Sequence, residues 1–168
     1  MTGKKCYTVI AILLLFLLYI MIFFLSAEDA ERSSDISTKV TKVLLQIYGR
    51  IKGSSGGQQT AGDMVSSAEG IVRKLAHFSE YACMGFLSYS IVVMWYGTRW
   101  RGRLIVILQL LISAGADEFH QYFVPGRNAS IKDVLIDTAG GITGMLVILA
   151  WIFFWRKIHR RLKPDNNV

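Results

Sequence analysis

The chain has 168 residues, 52% of them hydrophobic, and its mean hydropathy is positive. This length suits a single domain, and apolar stretches of about 20 residues recur along it, which favours a polytopic helical membrane protein over a soluble one. The formal charge of +7 does not indicate a nucleic-acid partner, because the basic residues cluster at the ends of apolar runs and no nucleic-acid-binding motif accompanies them.

The first predicted element is an unbroken apolar run, residues 7–25, that follows Lys4 and Lys5. A secretory signal has an apolar core of about 7 to 15 residues, whereas this run is long enough to cross a bilayer. Although Leu25-Ser26-Ala27 faintly resembles a cleavage site, we interpret the run as an uncleaved membrane anchor.

Residues 26–70 form the extended polar segment of the chain, with a Gly/Ser-rich stretch at 53–57 that is typical of a flexible loop. Before that stretch, apolar residues recur at spacings of three and four. They are Ile36, Val40, Val43, Leu44, Ile47, Tyr48 and Ile51. This periodicity predicts an amphipathic helix over about 35–51, with Ser34 as its N-cap. Two placements stay open: the helix lies in the outer-leaflet interface with its basic residues near anionic headgroups, or it packs over the helical bundle.

Three further apolar stretches are each long enough to span a bilayer. They are residues 73–96, 104–123 and 131–155. Short links join them, and Pro125-Gly126 ends the third span of the chain. The sequence therefore predicts an all-α membrane protein with four transmembrane helices and an extracellular amphipathic helix between the first and the second. Residues 1–168 then form one membrane domain that ends in a basic tail, 156–168.

Basic residues lie at alternate ends of the four predicted spans. They are Lys4, Lys5, Arg99, Arg101, Arg103, Arg156, Lys157, Arg160, Arg161 and Lys163. By the positive-inside rule these ends face the cytoplasm. We therefore expect a multi-pass protein of the cell membrane with both termini cytoplasmic. Arg73 and Lys74 fall on the outer side, where most of the acidic residues lie, so pairing with those acids can explain their position.

Each of the last three predicted spans carries polar residues at its outer end, at helical spacings that place them on shared faces. They are Lys74, His77, Glu80 and Tyr81 in the second span, Asp117, Glu118, His120 and Gln121 in the third, and Asp133 and Asp137 in the fourth. Arg127, just after the Pro-Gly turn, can reach back over them as an anion or carboxylate clamp. Ionisable groups at membrane depth face a cavity or one another, so we expect one polar pocket facing outside.

Such charges could instead only lock three helices together, because each buried charge needs a partner. Two histidines, a lysine, an arginine and several carboxylates at one level favour a functional site, since apolar packing would hold the helices more simply. The predicted catalytic residues are His77, Asp117, Glu118 and His120, and the predicted ligand-binding residues are Lys74, Glu80, Tyr81, Gln121, Arg127, Asp133 and Asp137.

Two kinds of chemistry fit these residues equally well. An enzyme would hydrolyse an amphiphile or transfer its phosphoryl group, with a histidine as base or nucleophile and with Lys74 and Arg127 holding a phosphate. A binding protein would use the same charges to hold a zwitterionic or glycopeptide ligand. His77, Asp117 and His120 could also hold a divalent metal, but no HExxH motif is present, and the predicted site contains no metal.

The polar residues form a pattern that resembles the VanZ-like family of small bacterial membrane proteins. The pattern is Lys74-x-x-His77-Phe78-x-x-Tyr81, then Asp117-Glu118-x-His120-Gln121-x-x-x-Pro125-Gly126-Arg127-x-x-Ser130-x-x-Asp133, then Asp137-Thr138-x-Gly140-Gly141. The resemblance covers roughly residues 70–155 and implies an all-helical membrane protein of the cell envelope. Its name-giving member is associated with low-level resistance to teicoplanin. Where family members often have asparagine, this chain has Asp137, which adds a carboxyl group to the pocket.

The resemblance and the polar residues together suggest lowered susceptibility to lipoglycopeptide antibiotics as the function. The alternatives are a membrane enzyme acting on a cell-wall lipid precursor or phospholipid headgroup, and a structural or assembly protein of the membrane. The expected partners are membrane lipid and either a lipoglycopeptide or a cell-wall lipid precursor. The sequence indicates no particular cofactor and no oligomeric state.

Overall fold

The structure is a computed structural model that describes residues 2–52 and 58–162, and within those ranges the chain is all-α, as predicted, with five helices and no strand. The helices are α1 Thr2–Ser26, α2 Ala30–Lys52, α3 Gln58–Tyr96, α4 Trp100–Gln121 and α5 Ile131–Leu162. The Gly/Ser-rich stretch at 53–57 and the end of the predicted tail, 163–168, lie outside the described residues.

Two of the five helices are long and apolar enough to count as membrane spans by composition: Gly3–Ser26 and Ile131–His159. They indicate membrane association. The predicted four-span arrangement does not follow from this measure, because α3 and α4 are interrupted by polar side chains, among them Glu80 in α3 and Asp117 and Glu118 in α4.

The helix that contains the second predicted span begins at Gln58 rather than near residue 73. Residues 58–70 belong to the predicted polar loop segment, yet they extend α3 beyond its apolar part. The polar groups here find partners between helices: the Ser34 and Thr38 hydroxyls of α2 donate hydrogen bonds to the Glu69 carboxylate of α3. The start of α3 is therefore helical and paired with α2, where its composition suggests a loop. Helix α2 itself begins at Ala30, earlier than predicted.

Helix α2 packs on α3 with its polar face. Ser37 and Thr41 are buried, whereas the apolar stripe predicted from periodicity points away from the bundle. Val43, for example, is 54% exposed and Val40 is 45% exposed. The described residues of the stripe are therefore not buried against the bundle.

The closest helix pair is α3 with α5, and glycines make the approach possible. A Cβ atom built on Gly144 would overlap the carbonyl oxygen of Ala82, and one on Gly85 would overlap the backbone of Gly141. Gly140 lies equally close to the backbone of Phe78. Gly140 and Gly144 form a GxxxG pair in α5, and this pair has the packing role that such pairs have in membrane helices.

The ends of α4 and α5 are set by local turn chemistry. Pro125 and Gly126, the latter with a φ of 74° that suits glycine, form the turn after α4. Ser130 then caps α5, since its hydroxyl accepts a hydrogen bond from the Lys132 N–H at 3.2 Å.

Helix α1 is joined to α4 by a hydrogen bond between two hydroxyl groups. The Tyr19 hydroxyl of α1 lies 2.8 Å from the Ser113 hydroxyl of α4, which ties α1 to the bundle.

Candidate functional site: a polar cavity between α3, α4 and α5

A cavity of about 230 Å³ opens where the polar ends of α3, α4 and α5 meet. It is lined by Arg73, Lys74, His77, Glu118, Gln121, Gly126, Arg127, Asn128, Asp133, Ile136 and Asp137. Seven of the eleven predicted site residues are therefore on its wall. The alternating direction of the three helices brings these residues to one end of the bundle, as their positions in the sequence indicate.

Two contacts fix the mouth of the cavity. The Lys74 Nζ lies 3.2 Å from Asp133 Oδ1, with both side chains partly exposed, so this ion pair contributes at most about 1 kcal/mol. The carboxylate of Glu118 is buried and accepts a 2.7 Å hydrogen bond from the Ser130 N–H, just before α5. Glu118 therefore joins α4 to the start of α5.

A chain of hydrogen bonds runs from Asp117 to Arg127 through Gln121. The Gln121 Nε2 donates to Asp117 Oδ2 at 3.1 Å and to the Ser26 hydroxyl at 3.3 Å. The guanidinium of Arg127 donates to Gln121 Oε1 at 3.1 Å. Asp117, Gln121 and Ser26 are all buried, so this chain orients Asp117 from behind the cavity.

Arg127 was predicted to clamp an anion or carboxylate, and the structure gives its guanidinium other acceptors. Its Nε donates to the Glu28 carbonyl oxygen at 3.1 Å, and Nη2 donates to the Leu25 carbonyl oxygen at 3.3 Å. Burial and the neighbouring positive charge of Arg73 lower the pKa of Arg127, although guanidinium groups stay charged in proteins. Arg127 lines the cavity, and its donors hold the C-terminal end of α1.

His77 and Asp137 form the inner wall of the cavity, and Asp117 lies close to both without lining it. Donor atoms of His77, Asp117 and Asp137 all lie within 4.8 Å of one another. Glu80 Oε2 lies 3.8 Å from His77 Nδ1, which is too far for a hydrogen bond. In the described part of the chain His77 Nδ1 is buried and has no hydrogen-bond partner, although the residue itself lines the cavity.

Four predicted site residues do not line the cavity. Asp117 lies behind Gln121, Glu80 lies beside His77, and Tyr81 and His120 point elsewhere. Tyr81 is part of the apolar core at 1% exposure. The His120 ring stacks on Phe23 of α1, with centroids 4.6 Å apart and planes at 6°. The structure thus separates His120 from His77, and the catalytic and ligand-binding roles of all eleven residues stay predictions.

Four residues that line the cavity were not among the predicted site residues. Arg73 lies four residues before His77, a spacing that could have indicated a shared helix face. Asn128 and Gly126 belong to the turn after α4, whose course a helical periodicity does not predict. Ile136 precedes Asp137 and carries no chemical signal.

Comparison with known proteins gives a family. The model of the VanZ/LLP1 family matches residues 11–154, which includes the first helix as well as the region from 70 onwards that carries the polar motif. Helix α1 has no distinctive motif, yet its Ser26 hydroxyl and Leu25 carbonyl are bound by residues of that motif. No curated protein and no solved structure matches the chain. With most of its length matched, the protein belongs to the VanZ/LLP1 family.

Proposed function

We propose that this protein lowers the susceptibility of the cell to lipoglycopeptides such as teicoplanin through its polar cavity, which faces outside. The observation that carries the proposal is the cavity itself, where Lys74, His77, Asp133 and Asp137 meet within an otherwise apolar bundle. Polar and ionisable groups placed at such depth are functional candidates by default. Cations and carboxylates together suit a glycopeptide, which carries both amines and carboxylates.

The proposed membrane placement has four spans: α1, the apolar part of α3, α4 and α5. Exposed aromatic residues mark both ends, as expected at bilayer interfaces. They are Phe119, Tyr122 and Phe123 at the cavity end, and Trp95, Tyr96, Trp100 and Trp155 at the other. The second end also carries Arg99, Arg101, Arg103, Arg156 and Lys157, so the positive-inside rule turns it toward the cytoplasm and the cavity outward.

In this placement α2 lies in the outer interface, with its apolar stripe toward the lipid chains and Lys39 and Lys42 near the headgroups. A fluorophore attached to a cysteine at Val43 should therefore be strongly quenched by lipids that carry a nitroxide on the acyl chain. The full chain is reconstituted in liposomes, with Cys6 and Cys83 replaced by serine because both are exposed. The measurement is the quenched fraction of the fluorescence.

The matched control is a cysteine at Gln46, which is exposed on the same helix but lies off the stripe. Its label should be quenched only weakly by the same lipids. Equal quenching at the two positions would contradict the interfacial placement of α2.

The function is tested with His77→Ala and Lys74→Ala in cells that depend on this protein for reduced teicoplanin susceptibility. Each change removes one polar group from the cavity wall, so each should return the minimum inhibitory concentration to that of cells lacking the protein. His159→Ala and Lys132→Ala remove the same side chains from exposed positions and should leave it unchanged. Full resistance in both cavity variants, at normal protein levels, would rule out the cavity as the active element.

The second candidate function is a membrane enzyme acting on a cell-wall lipid precursor or phospholipid headgroup. It is favoured by one observation, the position of His77 on the cavity wall. Such a group can serve as base or nucleophile. Incubation of the purified protein with these lipids, followed by mass spectrometry, should yield a product that His77→Ala does not form; absence of any product would contradict the enzymatic function.

A further inference from the structure

We propose that His77, Asp117 and Asp137 bind one divalent transition-metal cation at the inner wall of the cavity. The three residues come from α3, α4 and α5, so the cation would join three helices at one point. The assignment rests on these side chains alone and does not depend on which ligand the cavity receives.

The spacing of the donor atoms fits a shared cation. All three lie within 4.8 Å of one another. Zinc binds histidine nitrogen and carboxylate oxygen at about 2.0 to 2.2 Å, which places ligand atoms roughly 3 to 4 Å apart. A bound cation would therefore draw the three donor atoms closer together.

The surroundings of Asp137 give a second reason to expect a ligand, independent of the spacing of the donor atoms. Three of the neighbouring carboxylates have partners: Asp117 accepts a hydrogen bond from Gln121, Glu118 accepts one from Ser130, and Asp133 Oδ1 forms an ion pair with Lys74. Asp137 is only 2% exposed and lines the cavity, yet it has neither hydrogen bond nor ion pair with any residue that the structure describes. A buried carboxylate needs such a partner, and a cation would provide it.

A supporting group is in place behind one of the three ligands. The Gln121 Nε2 donates to Asp117 Oδ2 and so orients that carboxylate. Glu80 Oε2 lies 3.8 Å from His77 Nδ1, beyond hydrogen-bond distance. A ligating imidazole usually donates its other N–H to such a carboxylate, and Glu80 is the carboxylate nearest to that side of the His77 ring.

The donor set selects the class of metal. One imidazole nitrogen with carboxylate oxygens suits zinc, manganese or ferrous iron, whereas calcium and magnesium prefer oxygen ligands throughout. Two aspartates match the charge of a divalent cation. Three protein ligands leave a coordination position open, and because His77 and Asp137 line the cavity, that position faces the space a substrate or ligand would enter.

The test uses the full chain in detergent, purified with a histidine-free tag, stripped with chelator and then equilibrated separately with ZnCl₂ and MnCl₂. Elemental analysis should find one cation per chain. His77→Ala and the nearly isosteric Asp137→Asn should each weaken binding by more than the 10- to 100-fold that accompanies loss of a supporting group. His159→Ala, at an exposed histidine, should bind like the wild type.

Circular dichroism and gel filtration check that each variant keeps its helical content and dispersity. A second readout is the melting temperature, which a cation should raise in the wild type but not in Asp137→Asn, because a ligand stabilises only the state that binds it. Absence of stoichiometric binding of either cation to the wild type would overturn the assignment, as would wild-type affinity in both ligand variants. Neither result depends on antibiotic susceptibility, so this proposal and the proposed function can fail separately.

Discussion

Gly144→Ala should lower the free energy of unfolding by about 3 kcal/mol, at the upper end of the usual cost of overpacking. The added Cβ would overlap the carbonyl oxygen of Ala82 and lie 2.8 Å from the backbone nitrogen of Phe86. Both atoms belong to the α3 backbone, so no side-chain rotation relieves the clash and the helices must separate. The loss is measured by reversible denaturation in detergent micelles, followed by circular dichroism.

Gly115→Ala provides the matched control within a helix. A Cβ at Gly115 of α4 meets no atom within 4 Å, so this substitution should stabilise the protein by about 0.5 to 1 kcal/mol through helix propensity. Opposite signs for the two changes are the expected result. If both variants were as stable as the wild type, the close approach of α3 and α5 would be wrong.

Arg127→Ala should also destabilise the protein by about 3 kcal/mol. Its guanidinium donates to the Leu25 and Glu28 carbonyls and to Gln121, and hydrogen bonds from charged donors contribute about 1.5 to 3 kcal/mol each before exposure reduces them. Removal leaves those acceptors unpaired and frees the end of α1 from α4. The same denaturation experiment measures the effect.

Two comparisons distinguish this stabilising role of Arg127 from its predicted role in binding an anion or carboxylate. Arg101→Ala removes an exposed guanidinium and should change stability by no more than about 0.5 kcal/mol. Arg127→Lys keeps the charge but loses the planar fork, so it should recover only part of the stability. An Arg127→Ala variant with unchanged stability but lost resistance would favour the clamp.

Much of the site could be predicted because helical periodicity is a strong signal. Lys74 and His77, three residues apart, point into the same cavity, and Asp133 and Asp137 follow the same rule on α5. The Pro125-Gly126 turn and the Ser130 cap are equally local, since a few adjacent residues determine them. The GxxxG spacing of Gly140 and Gly144 is a general signal of a close helix contact, but it does not identify α3 as the partner.

The remaining features depend on how each helix is rotated about its own axis, which spacing alone leaves free. His120 shares a helix face with Asp117 by sequence but turns to stack on Phe23. Two acceptors of Arg127, the Leu25 and Glu28 carbonyl oxygens, lie at the end of α1 and in the link after it, about 100 residues away in the chain. The apolar stripe of α2 faces outward because serine and threonine hydroxyls pair with Glu69, a contact that hydrophobicity does not predict.

Because α3 and α5 are in contact through their backbones, this helix pair is more rigid than the other helix pairs of the bundle. These two helices carry Lys74, His77, Asp133 and Asp137, and their glycines leave no side-chain layer that could compress or expand between them. The distance between α3 and α5 is therefore nearly constant. Any widening of the cavity has to come from α4, whose contacts with its neighbours pass through side chains such as Glu118 and Gln121 that can rotate.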